Sequence, residues 1–121
     1  MAFWAHEDIA VIESLVDSGV EYYTSSICFH AQQAVEKFLK AFLILNDVDF
    51  PKTHDLDFLL KECKKINKSV FEVDLKNLTE FGVAVRYPDD FYVPDVKETL
   101  EYRDIALEIK EIVEKMVSQT L

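Results

Sequence analysis

The chain has 121 residues, half of them hydrophobic, with 13 basic against 23 acidic side chains and a formal net charge of −10. That length suits one domain, residues 1–121, around one core, and two glycines and three prolines supply too few turn formers for a hairpin-rich sheet, so an all-α fold is expected. The negative field disfavours DNA and generic nucleic-acid backbone, no apolar run is long enough for a bilayer, and an N-terminal stretch without Lys or Arg points to a cytoplasmic protein.

The first helix is predicted over about Ala5 to Asp17, with Ile9, Ile12 and Val16 at helical spacing and Asp17-Ser18-Gly19 as its stop. A long second helix follows from about Glu21 to Leu45, where Ile27, Ala31, Ala34, Phe38, Ala41 and Leu45 recur every three or four residues. Asn46 to Thr53 breaks the period, and Thr53 or Asp55 can cap a third helix whose apolar face is Leu56, Leu59, Leu60, Cys63 and Ile66. A fourth helix is expected around Val73 to Val85, presenting Leu75, Leu78, Phe81 and Gly82, and a last one from Pro94 in its first turn to about Val117, with Tyr102, Ala106, Ile109, Val113 and Met116 on one side.

Cys28 and Cys63 fall inside apolar helical patterns, 35 positions apart, which gives neither a disulfide framework nor a metal-ligand spacing. His6, His30 and His54 have no ligand-type partner at helical spacing, so no metal site is expected, and both glycines stand alone, so there is no phosphate loop. Two constellations carry chemistry. On the second helix His30, Gln33, Lys37 and Lys40, at offsets of 0, 3, 7 and 10, share one polar stripe, which reads either as a ligand face or as a solvated stripe with Glu36 paired to Lys40. Between the last two helices, Arg86, Tyr87, Asp89, Asp90 and Tyr92 gather a guanidinium for phosphate, two carboxylates and two rings that could stack on a base; a packed turn accounts for the same residues.

The run from Phe29 to Ala41, FHAQQAVEKFLKA, followed by Lys52-Thr53-His54-Asp55-Leu56, resembles the HEPN domain (higher eukaryotes and prokaryotes nucleotide-binding), and Trp4 to Ala10, the Arg86-Tyr87-Pro88-Asp89 element and the Tyr102-to-Ile112 helix fit its small prokaryotic form. The resemblance implies an up-and-down bundle of about five helices like the helical domain of aminoglycoside nucleotidyltransferases, commonly a homodimer. It implies no cofactor beyond a nucleotide ligand, bound by His30, Gln33, Lys37, Lys40, His54, Arg86 and Asp89. It also implies a partner, a separate minimal nucleotidyltransferase chain, in a toxin–antitoxin pair. The alternative within the family is a metal-independent RNA endonuclease, whose motif is an Arg followed after four to six residues by a His. From Arg86 those spacings reach Phe91, Tyr92 and Val93. An RNase reading would therefore rest on Arg86 with Tyr92 or His30, and a phenol of ordinary pKa about 10 is a poor proton carrier at neutral pH. A purely structural interaction bundle is the third reading.

Overall fold

A computed structural model describes residues 2–82 and 93–120, and among these the regular structure is entirely helical. It comprises α1 (Ala2–Gly19), α2 (Thr24–Leu45), α3 (Leu56–Ile66) and α4 (Val96–Thr120), with short 3₁₀ helices at Val20–Tyr22 and Leu78–Gly82. The all-α expectation holds, with four α-helices among the described residues rather than about five.

Local chemistry sets each boundary. Gly19 has φ 127°, a conformation closed to L side chains, and a Cβ there would stand 2.9 Å from the Tyr22 ring. The chain spends Val20–Tyr22 in a 3₁₀ turn, which is why α2 begins at Thr24 and not at Glu21. At its far end Asp47 takes φ 58°, Val48 N–H donates to the Leu43 carbonyl and Asp47 N–H to that of Ile44, a Schellman closure with aspartate in the left-handed position. Asp55 caps α3 by accepting the Phe58 amide, and Lys64 and Lys65 sit at the negative end of its dipole. For α4 the cap is Asp95, whose carboxylate accepts the Glu98 amide at 2.7 Å, so Pro94 precedes the helix and does not form its first turn.

The expected α-helix over Val73 to Val85 does not form in its described part, up to residue 82. Asp74 Oδ1 accepts the Lys76 amide at 2.9 Å, Lys76 takes φ 53°, and Leu78 and Glu80 donate to Leu75 and Asn77, three residues back. An aspartate that bonds its own downstream backbone competes with the helical ladder. Leu75 and Leu78 are nevertheless buried, so the apolar spacing here reports the core and not an α-helical backbone.

Strict up-and-down alternation also fails. α1 is antiparallel to α2, since His6 packs on Phe38 while Asp8 meets His30 and Lys37. α3, however, runs in the same sense as α2: His54 ahead of it bonds Glu36, Cys63 reaches the Leu39 carbonyl, and Phe71 beyond it packs on Phe42. α4 does likewise, with Thr99 beside Cys28 and Glu114 beside His6. An extended segment of ten residues spans up to roughly 33 Å, about the length of α2, so 46–55 can return the chain without a helix. The segment from Phe71 to Thr79, which hydrogen-bonds back to Leu56 and His54, makes the second return.

α2 is the axis, packed by α1, α3 and α4, and its Ile27, Ala31, Ala34, Val35, Phe38, Leu39, Phe42 and Leu43 are buried; Leu45, expected on that face, is exposed. Phe71 is fully buried with its ring 4.9 Å from that of Phe42. Replacing it with alanine leaves a cavity and is expected to cost about 3–5 kcal/mol in urea unfolding, against about 1 kcal/mol for Asp55→Ala, which removes one cap. A Phe71→Ala loss no larger than the Asp55→Ala loss would contradict this packing.

Candidate functional site

Two acidic side chains are almost fully enclosed: Asp8 of α1 and Glu36 of α2 are each 6% exposed. A carboxylate removed from water needs hydrogen-bond donors or countercharges. Asp8 takes both from α2, with His30 Nδ1 2.8 Å from Oδ1 and Lys37 Nζ 2.7 Å from Oδ2. Glu36 takes Lys40 Nζ at 3.1 Å from its own helix and His54 Nδ1 at 2.9 Å from the segment leading into α3.

The amides link these groups into one seam. Gln32 Nε2 donates to Glu36 Oε1 at 3.1 Å and to the His54 carbonyl at 3.4 Å, and Gln33 Nε2 donates to Gln32 Oε1 at 2.6 Å. Lys40 also lies over the Phe50 ring, 5.9 Å from its centroid, which ties the 46–55 segment to the same face. Burial pushes the Glu36 carboxyl up, but hydrogen bonds from His54, Gln32 and Lys40, together with the Lys40 charge, outweigh it and hold the group below the ordinary glutamate range.

His30, Gln33, Lys37 and Lys40 do share one part-exposed face of α2, and His54 joins it through Glu36. Arg86, Asp89 and Tyr92 lie outside the described residues. The sequence reading missed Asp8, Gln32 and Glu36 as organisers: Glu36 entered only as the partner of Lys40 in the solvated-stripe alternative, whereas its side chain is 8% exposed. The available signal was positional, because Asp8 immediately precedes Ile9 and lies one helical turn from Ile12, at the edge of the buried face of α1.

A cavity of about 430 Å³ lies elsewhere, lined by His6, Phe38, Val113, Glu114, Val117 and Ser118, where the His6 and Glu114 side chains pair. Burial pushes the Cys28 thiol up to about 11 and the Cys63 thiol up to about 12, which leaves both protonated and poor nucleophiles. Among the described residues no group of three His, Cys, Asp or Glu side chains is placed to hold a metal ion, and no helix is long and apolar enough to cross a membrane.

The family model described as the HEPN domain matches residues 3–119. No curated protein and no solved structure matches the chain.

Because the Glu36 carboxyl has a lower pKa folded than unfolded, its contribution to stability is present above about pH 4.5 and disappears as pH falls through the folded value. Glu36→Gln is therefore expected to lower unfolding free energy near pH 7 by about 1–3 kcal/mol, with the gap to the unaltered protein shrinking toward about pH 3. Chemical denaturation at both pH values measures it, and a constant gap would contradict the pairing.

Proposed function

The chain belongs to the HEPN domain family, and from that premise we propose that it is a non-catalytic subunit that binds a nucleotide on the α2 seam and acts with a separate minimal nucleotidyltransferase, as one half of a toxin–antitoxin pair. One observation carries the reading. Lys37 and Lys40 are held in place by carboxylates from beneath while their side chains remain part-exposed, so two cations stand pre-positioned on one face. Fixing those long side chains before a ligand arrives removes ordering entropy that binding would otherwise cost. The two ammonium groups offer a phosphate charge-assisted contacts, and Arg86, outside the described residues, is the further cation that the family resemblance offers for it.

A second reading has a specific observation in its favour. An imidazole that donates through Nδ1 to a buried carboxylate is oriented for proton transfer at its other nitrogen, and His30 on Asp8 has that arrangement. In an RNA endonuclease Arg86 would steady the scissile phosphate, with His30 or Tyr92 handling the proton. Nuclease-free protein that leaves RNA intact removes this reading, whereas cleavage abolished by Arg86→Ala supports it.

The binding reading extends to a homodimer, for which light scattering should report twice the 14.0 kDa of one chain. Its main test is calorimetry of the purified chain with ATP and GTP and with a co-expressed minimal nucleotidyltransferase. Binding is expected, and Lys37→Ala combined with Lys40→Ala should weaken nucleotide affinity on the order of tenfold or more, as the loss of charge-assisted contacts implies. Silence with nucleotides and nucleotidyltransferase alike would sink the binding reading, and RNA left intact as well would leave only a structural interaction bundle.

A further inference from the structure

The internal hydrogen bonds of the seam dictate which atoms it turns outward. The Glu36 carboxylate and the His54 carbonyl can only accept, so Gln32 must direct its Nε2 toward them. Its Oε1 is then the acceptor for Gln33 Nε2, which turns Gln33 Oε1 away from the chain of bonds. The Asp8 carboxylate likewise accepts, so His30 meets it with Nδ1–H, and the Nδ1–H tautomer of the ring presents Nε2 as an acceptor. Neither Gln33 Oε1 nor His30 Nε2 has a partner among the described residues. No buried side-chain nitrogen or oxygen there lacks one, so both atoms are open to solvent.

The result is a polarity along α2. Two acceptors stand at one end, on residues 30 and 33, and two ammonium groups at the other, on residues 37 and 40. Residues three apart on a helix are about 5–6 Å apart at their Cβ atoms. The two hydrogens of one amino group diverge so that acceptors at about 2.9 Å from its nitrogen stand about 5 Å apart, and a single –NH₂ can bridge such a pair. Lys37 and Lys40 lie about 10 and 15 Å along the axis from His30. That is the reach of a nucleoside polyphosphate.

Resting on the nucleotide-binding reading above, we propose that His30 Nε2 and Gln33 Oε1 bind the exocyclic amine of a nucleobase while Lys37 and Lys40 take its phosphates, so that the seam selects adenine or cytosine nucleotides over the deaminated hypoxanthine and uracil forms. Deamination replaces the –NH₂ with a carbonyl oxygen. That oxygen would face two acceptors with no proton between them, a repulsive contact as well as a lost bond.

Calorimetric titration of the full chain with ATP, ITP, CTP and UTP in one buffer tests this. ATP is expected to bind on the order of tenfold more tightly than ITP, and CTP than UTP by a similar factor. Gln33→Ala, a change at a part-exposed position, should bring each pair to within about twofold, with far-UV circular dichroism confirming the helical fold. Equal affinity of the unaltered chain for ATP and ITP, or an ATP preference that survives Gln33→Ala, overturns the amine assignment and leaves nucleotide binding standing. Absence of binding by all four overturns both.

Discussion

The arrangement depends on two carboxylates that have been taken out of water. Asp8 and Glu36 are each buried in the bundle, and each would be costly if left unpaired. Their satisfaction dictates the rest. Asp8 requires that α1 dock on α2 with His30 and Lys37 facing it, and Glu36 requires that the segment before α3 return along α2 far enough for His54 to reach it. The register of α1 and the path of 46–55 are thus fixed by polar contacts as well as by apolar packing.

This constraint converts a helical stripe into an oriented set of donors and acceptors. Isolated lysines on a helix would sample many rotamers, and surface ion pairs contribute little. Here the acidic partners lie beneath the surface, so the donors and acceptors above them are aimed by bonds that solvent cannot easily replace. The chain as a whole carries a formal charge of −10, and the proposed anion recognition rests on a local face of cations backed by buried acids, not on a generally basic surface. Membership of the HEPN domain family places a helical bundle of this kind among nucleotide-binding and RNase-like proteins.

Much of this was legible in the residues. The periodicity of α2, the Asp55 cap, the offsets of His30, Gln33, Lys37 and Lys40 and the family resemblance follow from spacing and motif alone. The error at Val73 to Val85 arose because apolar spacing records burial, and an Asp74 turn with a left-handed Lys76 delivers Leu75 and Leu78 to the core without an α-helix. The directions of α3 and α4 depend on how far a non-helical segment travels, which side-chain pattern does not encode. Asp8 and Glu36 were missed for a related reason: an acid at the edge of an apolar face looks solvated until the helix that covers it is known.

The most direct test of the account is a map of nucleotide contact on the α2 seam. Titration of ¹⁵N-labelled chain with ATP, followed by amide chemical shifts, should perturb residues 30–40 of α2 together with those around Asp8 and His54. Perturbations confined to the far side, around Asn67, Ile112 and Met116, would contradict it, as would a spectrum that ATP leaves unchanged.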